Sequence, residues 1–468
     1  MGQAIRTTKL LLDLGPRTQG GANTVKRAHL ETTVTILNAA RAFYVAFFLA
    51  HREKLSERIS YFSEKYQEQR ERAINADELM TWAEVQTVAT KEHPHPLPGW
   101  NFSRMFPGMP ALYRRSVIKD AIGKVRSYLS NLANWQQTSK KKGKPGLPGT
   151  ANHPTLYQGT FSLELEGLNQ QGVFVRLKIY TGVEWTWVKY PVRYSRWHER
   201  RRTEPGWEQQ SPRLILRPKQ AELHLSQKKE IKAKKVKDSK LDPDLVTVAV
   251  DLNVKNLAVI TVRQHGEIIE TVFVRDRGLD QHRYRHLKRI SKKQWQSGRP
   301  VKGEHNSAHL WQHIRRTNQD VTHKVAQTIA KVCARYPGSV LLFERLRKIK
   351  VRGGSRSHRV NRKQSNQLRG QINRVSKEKA FVQATVTVEV NPHGTSQYCS
   401  RCGAKGERFS LRMGRRVKER GGKLFQCSVC GYEAHADFNA SVNLHHSFYR
   451  EYHWQPKPKP TPTSGHSP

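Results

Sequence analysis

Cysteine is scarce in this chain, with five in 468 residues. So few exclude the disulfide framework that staples small secreted domains. Their placement is uneven: four stand in two C-x-x-C pairs and Cys333 stands alone, where it is expected to be a small core residue. Long apolar runs are missing too. The longest, "AFYVAFFLA" at 42–50, is about half the ~20 residues that a membrane span requires. No basic-then-apolar leader with a small-residue cleavage site opens the chain, and "MGQAIR" lacks the Ser or Thr at its sixth position that myristoylation favours. These absences predict a soluble, intracellular chain with no membrane partner. The third shortage is negative charge. Against 83 Lys+Arg there are only 38 Asp+Glu, a formal net charge of +45. An excess of that size, spread along the whole length, points to a polyanionic partner, because neutralising phosphates releases condensed counterions.

At this length the chain can hold two to four packed domains. Residues 25–80 read as helix, with Leu30, Val34, Leu37, Tyr44 and Phe48 at three-and-four spacing and a charged helix-forming run after them. A second helix carries the stripe Ile118, Ile122, Val125, Leu129 and Leu132 and ends near the basic Gly/Pro breaker "KKKGKPGLPG" at 140–149. From 155 to 225 the pattern alternates, rich in β-branched and aromatic residues, which predicts a small β-rich module. Its Trp185, Trp187 and Trp197, near Arg200 to Arg202, suit either half-buried packing or base stacking. The lysine-rich stretch 227–244 reads as a linker close to a phosphate backbone.

At residue 246 the texture changes again. "VTVAVDLNVKNLAVITV" holds a strand ending on Asp251, a turn with Asn253 and a second strand; "EIIETVFV" gives a third. Three such strands with an acid on the first are how a ribonuclease H-like sheet begins. A basic helical hairpin follows over 280–336, then strands "GSVLLFE", closing on Glu344, and "ATVTVEV". Asp437 precedes a short helical segment. In such a sheet Asp251, Glu344 and Asp437 converge, and three carboxylates together call for divalent cations with hard oxygen preference, Mg²⁺ or Mn²⁺. Two ions about 3.5–4 Å apart activate a water and stabilise a leaving oxygen at a phosphodiester. Taken singly, an Asp at a strand end is a turn or cap residue more often than a ligand.

Cys399 and Cys402, with Cys427 and Cys430, form two knuckles, each followed by a glycine, Gly403 and Gly431. Four thiolates fit a closed tetrahedral Zn²⁺ site. The flanks are unlike those of catalytic redox pairs. The 24 residues between the knuckles exceed the ~15–20 of common zinc ribbons, so the basic stretch "FSLRMGRRVKERGGK" is expected to loop out. His435 is nearby and is read as a nucleic-acid contact or a support behind the ligands, since four cysteines already suffice.

The segments "VAVDLNVKNLAVITV", "VLLFERL", "TSQYCSRCG" and "CSVCGYEAHADFNASVNL" occur in the order, and at about the separations, of the split nuclease domain of TnpB proteins and the compact type V CRISPR effectors. The chain resembles that family over about 246–445; outside it the likeness is architectural. The resemblance implies an α/β multidomain protein with a ribonuclease H-like (RuvC) nuclease domain, a zinc-ribbon insertion, an N-terminal helical recognition lobe and a β-rich wedge module. The expected division is 1–150 helical lobe, with a possible wedge strand at its start, 151–226 wedge, 227–245 linker, 246–394 nuclease domain with its helical insertion at about 280–336, 395–432 zinc ribbon, 433–455 final nuclease segment and 456–468 disordered tail.

It further implies an RNA-guided DNA endonuclease, a metal-dependent hydrolase of phosphodiester bonds, transposon-associated or CRISPR-associated and cytoplasmic, working on the nucleoid. Its partners would be a guide RNA and double-stranded target DNA carrying a short flanking motif. The family's catalytic acids, which hold Mg²⁺ or Mn²⁺, fall on Asp251, Glu344 and Asp437, and its zinc ligands on Cys399, Cys402, Cys427 and Cys430. His435, Asn439, Asn443 and Arg345 are candidates to touch substrate or orient the acids. Two departures stand out: Asn253 occupies a turn position where many relatives have glycine, and Arg345 follows Glu344 where a neutral or acidic residue is commoner. Two other functions compete: a guided DNA-binding effector that silences or recruits without cutting, and a transposase that works without a guide.

Overall fold

The computed structural model describes residues 2–14, 22–63, 67–138, 143–164, 173–218, 220–239, 242–253, 256–275, 278–298, 307–345, 368–419 and 421–452. Its contacts divide the chain into two compact units, Ile5–Lys229 and Glu230–Pro468 with Met1–Ala4.

The first unit holds β1 (Gly2–Leu12) from Ile5 onward, α1 (Ala22–Ala50) and α2 (Arg52–Leu55), then the hairpin β2 (Arg58–Ser63) and β3 (Glu68–Ala73). It continues through α3 (Ala76–Thr87), α4 (Phe102–Met105), α5 (Ala111–Gln137), β4 (Phe161–Glu164), β5 (Val173–Tyr180) and β6 (Trp185–Val192). It closes with α6 (Arg196–Thr203), β7 (Glu208–Gln209), β8 (Arg213–Arg217) and β9 (Gln220–Ile231). The main sheet runs β4-β5-β6-β1-β9-β7, with β8 paired to β9.

One core serves helices and sheet together: Leu30, Tyr44 and Phe47 of α1, Ile118 and Ile122 of α5, and Val175, Leu177 and Leu223 of the strands belong to a single buried cluster. The segments 1–150 and 151–226, separate in the sequence pattern, therefore pack as one body. By length and composition α1 is apolar enough to cross a membrane. Its apolar face is instead covered by protein: Tyr44 stacks on Phe102, and Phe47 packs against Trp82 and Trp100. The buried Arg41 in the same helix pairs with Asp120 of α5 at 3.2 Å, which a lipid-facing helix would not require.

The expected continuous helix over 25–80 is corrected. It stops at Ala50, and β2 and β3 form an antiparallel hairpin before α3 restarts under a capping box at Asn75 and Glu78. Residues 58–73 have helix-forming composition without an apolar stripe, and composition alone does not hold a helix that has no face to bury. Trp185 packs against Tyr113 and Tyr180 with ring centroids 5.0 and 5.5 Å away, whereas Trp187 and Trp197 are exposed beneath the guanidinium groups of Arg176 and Arg201. The linker expected over 227–245 is also corrected: β9 continues to Ile231 and a helical turn, α7 (Val236–Ser239), follows.

The second unit is built on β10 (Thr247–Asp251), β11 (Asn256–Gln264), β12 (Glu267–Arg275), the helices α8 (Leu279–Gln296) and α9 (Ala308–Arg335), β13 (Val340–Glu344), α10 (Arg369–Val382) and β14 (Val386–Val390). A small second sheet follows: β15 (Glu407–Arg412), β16 (Arg415–Lys418), β17 (Leu424–Gln426) and β18 (Glu433–His435), leading into α11 (Ala436–Tyr452). The large sheet has the order β12-β11-β10-β13-β14. The pairs β12–β11 and β11–β10 are antiparallel, β10–β13 and β13–β14 parallel.

Strand alternation divides the side chains between two layers. Val248, Val250, Leu341 and Phe343 face a cluster with Val325, Ile329, Val332 and Cys333 of α9 and Ile372 of α10. Ala249, Leu342, Val388 and Val390 face Leu444, Phe448 and Tyr449 of α11. Cys333 is a buried core residue as expected, its thiol pushed up to about 12 by burial. The Pro-rich tail at 456–468 lies outside the described residues.

Candidate metal centre

Asp251 is the last residue of β10 and Glu344 the last of β13. These strands are parallel neighbours in the register Val250↔Phe343, so both carboxylates leave the sheet at the same end and side by side. Asp437 arrives from α11, in its first turn, with the backbone N–H donating to Nδ1 of His435 at 3.2 Å. Asp251 and Asp437 are buried and Glu344 half-buried. Burial pushes the Asp251 carboxyl well above its ordinary range, and the negative charges of Glu344 and Asp437 push further. Burial likewise raises Glu344, opposed by a hydrogen bond from Thr395 and by the charge of Arg369.

Asp437 is held by amides. Asn253 donates to Oδ1 at 2.6 Å and Asn256 to Oδ2 at 3.0 Å, while Arg408 of β15 stands 3.6 Å from Oδ1. Among the described residues, two groups have ligand atoms that all lie within 4.8 Å of one another, the four cysteines and a trio of histidines, and the three carboxylates are not such a group. The donor set still fits divalent cations, since three carboxylates, two of them buried, are oxygen-only ligands short of counter-charge.

The cysteines form a closed set. Cys399 Sγ is 3.6 Å from Cys430 Sγ, and Cys402 Sγ is 3.6 Å from Cys427 Sγ. A tetrahedral zinc with bonds of about 2.3 Å sets its sulfurs about 3.8 Å apart, so the spacing suits that ion. The two knuckles repeat one geometry: Gly403 and Gly431 have φ of 74° and 69°, and their N–H groups donate back to the carbonyls of Cys399 and Cys427. The Cys430 backbone N–H leads in drawing the Cys427 thiol down to about 7. The long insert between the knuckles is not an irregular loop. It folds as the hairpin β15–β16, closed by Met413 and Gly414, both at positive φ as a two-residue hairpin turn demands.

Asn439 and Asn443 differ from expectation. Asn439 accepts from the Ser400 N–H at 2.9 Å and donates to the Tyr398 carbonyl at 2.8 Å; Asn443 donates to the carbonyls of Thr395 and Tyr398 at 2.8 and 2.7 Å. Both are buried, and both tie α11 to the first knuckle instead of orienting Asp437. Arg345 turns to the Glu389 carbonyl at 2.8 Å and to Glu451 at 3.7 Å, and so serves the far end of α11. His435 lies beside Asp437, its ring against Phe273 and its Nε2 3.4 Å from Asn256.

Sequence reasoning missed four residues here. Thr395 stood in the quoted "TSQ" beside the cysteines, which drew all the attention. Arg369, Arg408 and Asn256 gave no local signal, because only the fold brings them to the acids. The Nε of Arg369 is buried with no hydrogen-bond partner among the described residues.

Comparison with known proteins gives the frame for this geometry. The Cas12f1-like, TNB domain family matches residues 370–444, and the Aq_aa04 family matches 20–181. TnpB-like protein aq_aa05 of Aquifex aeolicus (strain VF5) is 32% identical over 256 residues, spanning 50% of this chain and 76% of that protein. The CRISPR-associated endodeoxyribonuclease Cas12f1 of Sulfoacidibacillus thermotolerans is 40% identical over 57 residues, which is 12% of this chain and 11% of that one. The fold is similar to that of the mini-RNA-guided endonuclease CRISPR-Cas_phi3, with a TM-score of 0.53 at 11% identity over 95% of this chain and 92% of that one. On the identity and coverage of its Aquifex relative, the chain belongs to the TnpB-like family.

Proposed function

We propose that the chain is an intracellular RNA-guided DNA endonuclease, in which guide pairing reads the target and Asp251, Glu344 and Asp437 form a RuvC-type centre on a ribonuclease H-like sheet. The observation that carries this reading is the adjacency of Asp251 and Glu344 at the ends of parallel β10 and β13, with Asp437, in the first turn of α11, close enough to act electrostatically on Asp251. Names of relatives, an endodeoxyribonuclease and an RNA-guided endonuclease, support the substrate and the guide. The net charge of +45 suits a protein that holds a structured RNA, a heteroduplex and a displaced strand.

Mg²⁺ or Mn²⁺, when bound, supplies water activation and stabilisation of the leaving oxygen. The chain's own residues prepare for it. Two strand ends fix Asp251 and Glu344; Asn253 and Asn256 each occupy one oxygen of Asp437 and leave further lone pairs open. Arg369 acts electrostatically on Asp251 and Glu344, and Arg408 lies near Asp437, which moderates repulsion before any ion arrives. Asp251, Glu344 and Asp437 would hold the ions between them. Cys399, Cys402, Cys427 and Cys430 would hold a structural zinc that braces the chain just before Asp437.

The test is cleavage of a matched DNA target by protein reconstituted with its copurifying RNA. Mg²⁺-dependent cutting, abolished by chelator, is expected. Tight target binding with intact DNA would favour a guided binder instead, and absence of any defined copurifying RNA would favour an unguided transposase.

A further inference from the structure

Outside the carboxylates and cysteines, one cluster in the second unit has the chemistry of a metal site. His282 and His286 stand one turn apart on the same face of α8, and His313 meets them from α9. Nε2 of His282 is 3.0 Å from Nε2 of His313 and 3.2 Å from Nε2 of His286, and the ligand atoms of all three lie within 4.8 Å of one another. We propose that His282, His286 and His313 form a second zinc site, distinct from the four cysteines, that staples α8 to α9.

Three ring nitrogens meeting at one point are hard to satisfy among themselves. A neutral imidazole offers one N–H and one lone pair, and His282 Nε2 faces two partners with the same atom. If all three rings carry their proton on Nδ1, three Nε2 lone pairs are crowded together with no donor among them. A cation there resolves the conflict. With Zn–N bonds of about 2.0–2.1 Å, tetrahedral coordination sets ligand nitrogens about 3.3–3.4 Å apart, close to the separations observed. All-imidazole donors suit Zn²⁺, Co²⁺, Ni²⁺ or Cu²⁺, not Mg²⁺, so the site does not compete with a carboxylate centre for its ion. His313 is exposed, which opens a path for entry and leaves a fourth position to water.

The surroundings explain what such an ion would do and how tightly it would bind. The core between these helices at this point is small: Ile290, Leu310 and Ile314, with Leu287 partly buried against them. Leu287 and Ile314 directly follow His286 and His313 in sequence, so the metal would cross-link the hairpin right beside its sparse apolar contact. Nδ1 of His286 is buried without a hydrogen-bond partner among the described residues, and Arg285 and Arg289 act on it electrostatically. A ligand lacking its supporting hydrogen bond binds more weakly, by about 10–100-fold. The histidine site should therefore release zinc before the cysteine site does.

The full chain, purified without an added histidine tag, stripped of metal and reloaded with Zn²⁺ or Co²⁺, tests this. Wild type is expected to bind two equivalents of zinc, and His282→Ala combined with His313→Ala one. Cobalt in the cysteine set gives thiolate charge-transfer absorption in the near ultraviolet; the histidine site adds only visible ligand-field bands. The double variant should lose those bands and keep the thiolate absorption, which also certifies that its zinc ribbon is folded. His286→Gln alone should weaken the histidine site by at least about 10-fold. Cys427→Ser should do the reverse, reducing the thiolate absorption and keeping the histidine bands, so failure of the cysteine site is read separately. Equal zinc content and identical visible spectra in wild type and the double histidine variant would overturn the proposal.

Discussion

The Thr395 hydroxyl donates to Glu344 Oε1 at 2.9 Å, and the Thr395 carbonyl in turn accepts from the side chain of Asn443 on α11. One threonine thus links the carboxylate at the end of β13 to the helix that brings Asp437. A hydrogen bond to a charged group is worth about 1.5–3 kcal/mol. Thr395→Val is expected to lower target cleavage by about 10–100-fold, with guide RNA binding unchanged. Wild-type cleavage by this variant would mean that Glu344 is positioned without it.

Asn439 is buried and bonded on both sides to the backbone of the first knuckle. Asn439→Ala leaves the Ser400 N–H without its acceptor, at a cost of about 1–3 kcal/mol. A lower melting temperature, in proportion with lost activity, is expected. Lost cleavage at unchanged stability would instead make Asn439 a substrate contact.

His445 sits fully buried in α11, with Nδ1 2.7 Å from the Thr247 hydroxyl and Nε2 3.0 Å from that of Thr261. Burial, reinforced by Arg263 and His446, holds its pKa well below the ordinary histidine value. The unfolded chain then binds a proton that the folded chain refuses, so stability falls as the pH drops below about 6.5, by up to about 1.4 kcal/mol per pH unit. Denaturant unfolding at pH 7.5 and 5.5 should show the wild type losing more stability than His445→Gln over that interval. Parallel losses in the two proteins would remove His445 as the cause.

Zinc removal supplies the fourth prediction. Because a structural metal contributes folding free energy directly, Cys427→Ser should release the thiolate-bound zinc and lower the melting temperature of the second unit. Unchanged zinc content and unchanged melting would rule out the four-thiolate site.

Much of this was legible in the sequence because the signals were local. Strand ends carrying Asp251 and Glu344 announced themselves as apolar runs closed by an acid, and the knuckles by spacing and glycine. What stayed hidden depended on tertiary contact. Asn253 looked like a turn residue filling a glycine position, yet its amide is spent on Asp437, which gives a physical reason for asparagine there. Asn439 and Asn443, next to the acid in sequence, point at the knuckle because the helix presents that face to residues 395–400. The charged stretch after α1 read as helix from composition, and the hairpin it forms lay beyond what composition can specify. The three histidines are separated by 26 residues between His286 and His313, a gap that carries no motif until two helices close it.

The most direct measurement is cleavage of a matched target in Mg²⁺ by Asp251→Asn, with target binding and metal-free stability read on the same preparation. Asparagine keeps the shape of the side chain and removes a charge that is buried against Glu344 and Asp437. The account predicts that cutting is abolished, that guide and target binding persist, and that the metal-free protein is as stable as wild type or more so, since relieving a buried like charge offsets the substitution. Normal cutting by Asp251→Asn would contradict the carboxylate centre outright.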